Sequence, residues 1–296
     1  MKSLLVLGST GMLGYGVLSS LIKYKNIKIE ATIRSVNSLK KIKNKYPYNK
    51  VKNFHILDVL KVKQAKIDQL VNEYDYIINC IGIIKPEIDT SSSRSIKKTI
   101  YINSIFPNIL ASSLLNNQTK IFQIATDCVF TGKKGNYDEF SNHDDVEIYG
   151  ISKSMGEIKK NNFFNLRTSI IGREFLTKKS LVEWFLNQKG YANGFENHNW
   201  NGITTKAFGE YLYAIINKNI NIPNLLHVIP KNMVNKYELL QIFKKKFKSK
   251  LKINKFKPKF KIDRSLTTVH KNLNNRIWKK TIFKSKPSIE EMVNKL

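Results

Sequence analysis

The stretch Ser3-Leu-Leu-Val-Leu7, followed directly by Gly8-Ser-Thr-Gly11-Met-Leu-Gly14, decides the fold of this chain. The first part is mostly apolar, as in a buried strand, and the three glycines stand where that strand turns into a helix. Glycine permits a tight turn and lets main-chain N–H groups approach a pyrophosphate, and a helix N-terminus adds unpaired N–H groups and a partial positive charge. The spacing therefore predicts a dinucleotide-binding turn, with a plain structural turn as the alternative.

Short apolar runs alternate with longer mixed segments from this turn to about residue 170. The alternation is typical of βαβ units and predicts an α/β fold with a doubly wound parallel sheet of the Rossmann type. The predicted strands are residues 3–7, 28–33, 53–56, 76–80, 120–125, 163–167 and 225–229. The predicted helices are residues 13–23, 62–72, 106–116, 152–160, 180–188, 205–216 and 237–247. We expect a dinucleotide-binding domain over residues 1–170 and a smaller C-terminal substrate lobe over residues 171–296, partly interleaved with the first.

The composition favours a folded cytoplasmic protein and excludes several other classes. The 296 residues are 42% hydrophobic, which is enough to bury a sizeable core. Two cysteines exclude a disulfide scaffold and a thiolate cluster, and the five scattered histidines show no ligand spacing, so we expect no metal. No apolar run approaches the roughly 18–20 residues that span a membrane, and the apolar start is too short for a signal peptide.

A formal net charge of +29 would ordinarily indicate a polyanionic partner. However, only six of the 51 basic residues are arginine and the chain has 32 asparagines, so the lysines reflect a compositional bias over the whole surface. Proteins that read nucleic acids depend on arginine for bidentate contacts, and no zinc-finger or RNA-binding signature is present. We therefore expect no nucleic-acid partner, although residues 231–296 carry 20 basic and only 4 acidic residues.

The residue after the second strand distinguishes the two nicotinamide cofactors. An acidic residue about 20 positions after the glycines binds the 2′-hydroxyl of NAD, whereas arginine accommodates the 2′-phosphate of NADP. Arg34 stands at that distance from Gly14, while Glu30 lies too early, inside the strand. We therefore expect NADP rather than NAD, with a plain surface arginine as the alternative. The predicted cofactor-binding residues are Gly8, Thr10, Gly11, Met12, Leu13, Gly14, Arg34, Ser35, Asp58, Val59, Cys80, Ile81 and Gly82.

Tyr149 and Lys153 stand at positions i and i+4, which places a phenol and an ammonium on one face of a helix. A nearby positive charge lowers the pKa of tyrosine, so Tyr149 becomes a usable proton donor to the alkoxide that forms when hydride reaches a ketone. The spacing proves little by itself, because three other Tyr–Lys pairs in this lysine-rich chain share it.

Thr126 and Asp127 distinguish the Tyr149–Lys153 pair from the other Tyr–Lys pairs in the chain. They follow the apolar residues 121–125, and ligands of doubly wound sheets bind at the carboxyl ends of the strands. Thr126 is therefore expected to bond a substrate carbonyl beside Tyr149. A turn or a helix cap is the alternative explanation for a threonine and an aspartate at this place.

Three stretches resemble the extended short-chain dehydrogenase/reductases, and more narrowly dTDP-4-dehydrorhamnose reductases and related nucleotide-sugar 4-keto reductases. They are Ala125-Thr-Asp-Cys-Val-Phe-Thr-Gly132, Tyr149-Gly-Ile-Ser-Lys-Ser-Met-Gly-Glu157 and Leu166-Arg-Thr-Ser-Ile-Ile-Gly172. The resemblance covers most of the chain and is strongest over residues 1–205. It implies that Thr126, Tyr149 and Lys153 form the catalytic set. It also implies that Lys153 holds the nicotinamide ribose and that Asn103 supports a proton-relay water.

The resemblance further implies a substrate site made of Asp127, Cys128, Trp200, Asn201, Thr204 and Arg264. Residues 194–205 resemble the loop that family members place over the substrate. We expect Trp200 to pack on a sugar or base and Asn201 or Thr204 to bond hydroxyls, with burial of Trp200 between the lobes as the alternative. The segment Asp263-Arg-Ser265 resembles the family's late arginine segment, which implies that Arg264 binds the diphosphate.

Two departures from the family bear on the substrate and the reaction. Cys128 stands where reductases of this group often carry tyrosine, and the basic C-terminal segment matches the family only loosely. Sugar 4,6-dehydratases are similar but carry Thr-Asp-Glu at this strand end, and that acid pair eliminates water. With Cys128 in the third position the second acid is missing, which favours simple hydride delivery.

The sequence thus predicts NAD(P)H-dependent reduction of a 4-keto-6-deoxy nucleotide sugar, linked to dTDP or UDP, whose product feeds a surface polysaccharide. A homodimer is the oligomeric state that we consider. Two alternatives stay open. One is an epimerase, or another enzyme of the same superfamily that retains its cofactor, and the other is a catalytically silent binding or regulatory subunit built on this fold.

Overall fold

The structure is a computed structural model that describes residues 1–115, 118–174 and 179–296. Its strands in chain order are β1 (Lys2–Leu7), β2 (Ile27–Ile33), β3 (Phe54–Ile56), β4 (Tyr76–Asn79), β5 (Lys120–Ala125), β6 (Phe163–Arg167), β7 (Ile170–Ile171), β8 (Tyr191–Phe195), β9 (His198–Trp200), β10 (Ile203–Thr204), β11 (Leu225–His227), β12 (Val234–Asn235), β13 (Lys252–Phe256) and β14 (Ile262–Asp263). Its α-helices are α1 (Met12–Leu21), α2 (Val36–Ile42), α3 (Gln64–Asn72), α4 (Ser93–Ile100), α5 (Phe106–Ser112), α6 (Ile148–Ser154), α7 (Leu181–Asn187), α8 (Thr205–Lys218), α9 (Lys236–Phe247), α10 (Lys271–Lys279) and α11 (Ile289–Val293).

Seven of these strands form one parallel sheet in the order β11-β6-β5-β4-β1-β2-β3, with helices on both faces. This arrangement confirms the predicted doubly wound α/β fold. The strand order changes direction between β1 and β4, and in such sheets ligands bind at the carboxyl ends of the strands beside that switch point. The sheet therefore brings the residues that follow β1 to β6 to a single edge.

The later part of the chain adds small sheets and also returns to the large one. Strands β12, β9 and β14 form a three-stranded sheet, and β13 pairs with β8. In contrast, β11 completes the large sheet beside β6, and α8 packs against α1. The division near residue 170 stays a prediction. In the described part of the chain, no helix is both long and apolar enough for a membrane crossing.

The helix predicted over residues 152–160 is wrong in its bounds, because α6 spans Ile148–Ser154. It ends just before Gly156, where an added Cβ would come within 2.1 Å of the Asn103 main-chain oxygen. The chain here packs closely on a segment distant in sequence, and this contact is not visible in the local pattern. The helix predicted over residues 106–116 ends at Ser112, and its last predicted residue lies outside the described residues.

Two hydrophobic cores cover the two faces of the sheet, and α1 and α8 pack together over one of them. Their contact depends on small residues. A Cβ on Gly16 of α1 would lie 2.0 Å from Thr205 Oγ1, and a Cβ on Gly209 of α8 would lie 2.6 Å from Ser20 Cβ. The two helices can therefore approach this closely only with glycine at both positions.

A buried arginine braces the opposite side of the sheet. Arg167, the last residue of β6, is 1% exposed, and its guanidinium donates to both carboxylate oxygens of Glu157, at 3.0 and 2.5 Å. It also donates to Nε2 of His227 at 2.8 Å and to Nε2 of His143 at 2.6 Å. Because the guanidinium has no acceptor, each histidine must be neutral and carry its proton on Nδ1. We call these four residues the Arg167 brace.

The brace continues into the C-terminal part of the chain. Nδ1 of His227 donates to the Thr267 main-chain oxygen at 2.7 Å, and the His227 N–H donates to Glu139 at 2.9 Å. Glu139 also accepts from the Thr268 hydroxyl at 2.5 Å. Burial, with the Arg167 charge beside it, lowers the pKa of His227 to about 4, although Glu139 opposes the shift. The native protein therefore holds this imidazole neutral.

Replacement of Gly16 by alanine should destabilise the protein. The added Cβ has no room against Thr205, and overpacking of this kind costs about 1–3 kcal/mol, more than the ~1 kcal/mol that alanine gains over glycine in a helix. Urea unfolding measures the loss. Gly11→Ala is the control, because its Cβ would lie 3.7 Å from the nearest atom. Equal stability of Gly16→Ala and the wild type would contradict the close packing of α1 on α8.

The stability of the protein should fall as the pH falls from about 6.5 to about 4. In this range the unfolded chain protonates His227 at its ordinary pKa of about 6.5, whereas the folded chain, with a pKa of about 4, does not. The unfolded state then binds more protons, so the free energy of unfolding drops by up to about 1.4 kcal/mol per pH unit. Urea unfolding at several pH values measures the slope. His227→Gln, which does not titrate, should show a shallower slope, and an unchanged slope would refute the assignment.

Candidate active site

The glycine turn after β1 has the geometry that a bound pyrophosphate requires. Gly8 has φ +74°, and a Cβ on it would lie 2.7 Å from Ile81 Cγ1. A Cβ on Gly14 would lie 2.2 Å from the Gly8 main-chain oxygen, so both positions need glycine. Gly11 caps α1 without a side-chain acceptor, which leaves the first N–H groups of this helix for a ligand. The turn therefore fits a dinucleotide, and Thr32 Oγ1, which the sequence did not single out, fixes it by accepting from Gly8 N–H at 3.0 Å.

The other predicted cofactor residues follow the neighbouring strands at the same edge. Arg34 is exposed directly after β2, and the Ser35 side chain caps α2 by accepting from Ser38 N–H. Asp58 is half-buried after β3 and accepts from Leu60 N–H at 3.2 Å. The structure thus brings together the predicted set, whose remaining members are Thr10, Met12 and Leu13 at the turn, Val59 after β3, and Cys80, Ile81 and Gly82 after β4. Their contacts with a cofactor stay predictions.

Asn103 lies in a π-helical turn, residues 101–105, that joins α4 to α5. Its side chain accepts from Ile83 N–H at 2.9 Å and donates to the Ile83 main-chain oxygen at 3.0 Å and to Ser152 Oγ at 3.1 Å. Asn103 therefore ties the segment after β4 to α6. With its amide occupied in this way, the side chain positions its neighbours, and a proton-relay role stays a prediction.

Lys153 is buried on α6 and donates from Nζ to the Ile124 main-chain oxygen at 2.7 Å, near the end of β5. Burial lowers the pKa of its ammonium to about 8, and the proximity of Glu157 and Cys128 opposes this shift. The lysine is therefore largely charged at neutral pH. Because Glu157 belongs to the Arg167 brace, the brace and the candidate catalytic helix share one electrostatic partner.

Thr126 and Tyr149 meet at the end of β5. Thr126 lies close enough to the Tyr149 phenol to influence its pKa, and the Thr126 hydroxyl donates to Asp127 Oδ1 at 3.2 Å and accepts from Cys128 N–H at 3.2 Å. Thr126 therefore caps the short turn 127–129, as the alternative explanation held, while it also faces the phenol. Together with Lys153 on the next helical turn, these side chains form the set that the sequence predicted to be catalytic, and their role in catalysis stays a prediction.

The expectation that a positive charge lowers the pKa of Tyr149 is wrong. Burial dominates and raises the pKa of this phenol above its ordinary value, and the proximity of Cys128 and Asp127 raises it further. The proximity of Thr126 and the positive charge of Arg264 oppose the rise. Tyr149 is therefore a neutral phenol over the whole physiological range of pH.

Asp127 and Cys128 stand beside this phenol. Burial raises the pKa of Asp127, while the charges of Arg264 and Lys236 and the proximity of Thr126 and Ser169 oppose the rise. Burial also raises the pKa of Cys128 to about 12, so its sulfur stays a thiol at neutral pH. Arg264 donates from Nε to the Phe130 main-chain oxygen at 2.6 Å and lies 3.7 Å from Asp145.

The three residues predicted to cover the substrate have other partners. Trp200 is 4% exposed and donates from Nε1 to Ser169 Oγ at 2.8 Å. Asn201 donates to the Leu266 main-chain oxygen at 2.6 Å and accepts from Leu266 N–H at 2.9 Å, and Thr204 caps α8. The segment predicted as a loop also contains β9 and β10. Trp200 is thus a core residue, in agreement with the alternative explanation, and substrate contacts of the three residues stay predictions.

Sequence reasoning missed two residues that the fold brings to this edge. Ser169 follows β6 by two residues, so the rule that strand ends carry site residues would have found it. Lys236 begins α9, and its charge acts on both Asp127 and Cys128. Nothing in the sequence distinguishes this lysine from the many others in the chain.

The chain is similar to several known proteins along its whole length. The family model of the RmlD substrate binding domain matches residues 1–295. No curated protein sequence gives a match. Among solved structures, dTDP-4-dehydrorhamnose reductase from Bacillus anthracis in complex with NADP is 20% identical, with a TM-score of 0.74 over 100% of this chain and 98% of that one. The corresponding reductase from Clostridium acetobutylicum is 18% identical, with a TM-score of 0.71 over 99% and 97%.

A third solved structure belongs to an enzyme with another reaction. UDP-glucuronic acid 4-epimerase from Bacillus cereus, in complex with UDP-glucuronic acid and NAD, is 15% identical, with a TM-score of 0.72 over 98% of this chain and 96% of that one. At such low identities the structural likenesses show the fold alone. The family match over residues 1–295 is independent of them and confirms the resemblance found in the sequence. The chain belongs to the RmlD substrate binding domain family.

Proposed function

We propose that this protein is an NAD(P)H-dependent reductase of a 4-keto-6-deoxy nucleotide sugar. The observation that carries the proposal is the placement of Thr126 beside Tyr149 at the carboxyl end of β5, with Lys153 on the next turn of the same helix as Tyr149 and bonded to the Ile124 main-chain oxygen. Such a site suits the reduction of a carbonyl group: Tyr149 is the proton donor, Thr126 is a second hydrogen-bond donor and Lys153 is a buried cation.

The glycine turn supports a nicotinamide cofactor for this reaction. Gly8, Gly11 and Gly14 leave room for a pyrophosphate at the N-terminus of α1, and Lys153 would hold the nicotinamide ribose. When bound, the reduced cofactor supplies a hydride to the carbonyl carbon. The structures of the Bacillus anthracis reductase with NADP and of the Bacillus cereus epimerase with NAD agree with a cofactor of this class.

The residues of the chain carry the proton and the charge in this mechanism. Tyr149, a neutral phenol at physiological pH, donates its proton to the substrate oxygen as that oxygen becomes an alkoxide. Thr126 donates a hydrogen bond to the same oxygen and stabilises the developing charge. The charged Lys153, held on the Ile124 main-chain oxygen, stabilises the phenolate left on Tyr149.

The neighbouring residues favour reduction over elimination. Cys128 occupies the position that follows Asp127, and its raised pKa of about 12 keeps it a thiol. A thiol of this kind is a poor acid partner for the removal of water from the sugar. We propose that the nucleotide is dTDP or UDP, as in the relatives, and that the product enters deoxysugar and polysaccharide synthesis.

The reaction is tested with a panel of 4-keto and 4-hydroxy nucleotide sugars and both reduced cofactors. We expect oxidation of the cofactor, followed at 340 nm, with a 4-keto-6-deoxy nucleotide sugar. Tyr149→Phe removes only the proton donor, so it should lower kcat by about 10²–10⁴-fold while cofactor affinity is unchanged. Tyr76→Phe is the matched control, because Tyr76 is buried at the start of β4, at the amino end of the sheet, and stacks on Phe122.

Two results would contradict this proposal. Full activity of Tyr149→Phe would show that another group supplies the proton. A protein that keeps its dinucleotide through purification, interconverts 4-hydroxy epimers and consumes no added cofactor would be an epimerase. Binding of nucleotide sugars with no turnover of any kind would instead indicate a regulatory subunit.

We further propose that the enzyme prefers NADP to NAD through Arg34. This side chain is exposed directly after β2, where a 2′-phosphate of the cofactor lies in folds of this type. Arg34→Ala should weaken NADPH binding by about tenfold or more and leave NADH binding nearly unchanged, as measured by cofactor fluorescence. Arg94→Ala, another exposed arginine, is the control, and an equal loss for both cofactors would refute the assignment.

A further inference from the structure

Lys236 reaches the candidate active site from the C-terminal part of the chain. Strand β12 pairs with β9 so that Val234 lies opposite Trp200, and Lys236 follows two residues later as the first residue of α9. Its ammonium lies 5.3 Å from the centre of the Trp200 ring. The indole of Trp200 in turn donates to Ser169 Oγ at 2.8 Å, and Ser169 lies close enough to Asp127 to influence its pKa. Trp200 and Ser169 thus place this lysine near the end of β5.

The charge of Lys236 has no close counter-ion. Its ammonium makes no ion pair within 4.0 Å among the residues 1–115, 118–174 and 179–296. The charges of Asp127 and Arg264 act on it in opposite directions. Arg264 has its own acidic neighbour, Asp145, at 3.7 Å. A half-buried ammonium placed over an indole in this way loses hydration without gaining a carboxylate.

The surroundings favour an anionic ligand as the missing partner. The neutral thiol of Cys128 and the neutral phenol of Tyr149 add no negative charge to this place. The charge of Asp127 is balanced in part by Arg264, which leaves Lys236 available for a further negative group. Lysine binds phosphate and carboxylate groups as a compact point charge with three donors, so either chemistry would satisfy it.

We propose that Lys236 is a substrate-binding residue that holds the diphosphate of the nucleotide sugar. This inference rests on the proposed function and adds a second cation, besides Arg264, to the site. Because the ammonium comes from α9, it would couple substrate binding to the C-terminal part of the chain through Trp200.

Isothermal titration calorimetry with NADPH present tests this inference without any need for turnover. The probes are dTDP, UDP, UDP-glucose and UDP-glucuronic acid. Lys236→Met, which keeps the length and apolar body of the side chain, should weaken the binding of all four probes by about 10-fold or more. Lys236→Arg should bind within about threefold of the wild type. Lys257→Met removes an exposed lysine of the same part of the chain and should change nothing.

The probes identify the anion. Weaker binding of all four probes by Lys236→Met would support the assignment to the diphosphate, which all four share. Weaker binding of UDP-glucuronic acid alone would assign the lysine to a sugar carboxylate, which a 6-deoxy sugar lacks at C6, and would overturn the inference. Unchanged affinity for every probe would overturn the inference. NADPH fluorescence checks the fold of each variant, and if Lys236→Met loses NADPH binding, the comparison of Lys236→Gln with Lys236→Arg replaces it.

This experiment separates the inference from the proposed function. If the wild type reduces a 4-keto nucleotide sugar and Lys236→Met has the same KM and Kd, the inference fails and the function stands. If the wild type binds the probes through Lys236 but reduces no substrate, the lysine is a ligand-binding residue of a protein with another role. The two hypotheses therefore fail on different measurements.

Discussion

The buried guanidinium of Arg167 is the interaction on which the geometry of the site depends. It lies at the end of β6, and its donors reach Glu157 beyond α6, His227 at the end of β11, and His143 in the segment that follows β5. A guanidinium that is 1% exposed is tolerated only because nearly all of its N–H groups have hydrogen-bond acceptors. The loss of one partner of such a buried pair costs about 3–5 kcal/mol, so these elements cannot move independently. The ring of Phe130, 5.2 Å from the guanidinium, adds a further contact.

The Arg167 brace and strand β5 both help to position the candidate catalytic helix α6. Lys153 is fixed at its tip by the Ile124 main-chain oxygen, and Glu157, one turn further along the chain, is fixed by Arg167. Asn103 adds a third attachment through Ser152. The helix that carries Tyr149 is only seven residues long, and a helix of that length has little stability of its own. These three polar attachments therefore help to orient it, together with its packing against α4 and the turn 127–129.

The sequence predicted the large sheet well because its signals are local. Buried parallel strands are short apolar runs, and glycine spacing at the first turn reflects a backbone requirement at Gly8 and Gly14. The bounds of α6 were wrong, and the close contact of Gly156 with Asn103, 53 residues away in the chain, leaves no signal in the local pattern. Similarly, the burial of Trp200 depends on Ser169, and no local pattern shows that partnership.

Electrostatics was the least predictable property of the site, and Tyr149 shows the reason. From the sequence alone a lysine at i+4 should lower the pKa of the phenol, yet burial outweighs it. The same burial lowers the pKa of Lys153 to about 8, so both groups carry their protons at neutral pH. A general acid must hold a proton before the reaction begins, and the raised pKa of Tyr149 meets that need. Transfer then becomes favourable only when negative charge develops on a nearby oxygen, because an alkoxide is a far stronger base than a phenolate. In the proposed mechanism, the burial that raises the pKa of Tyr149 therefore restricts proton donation to the step in which the alkoxide forms.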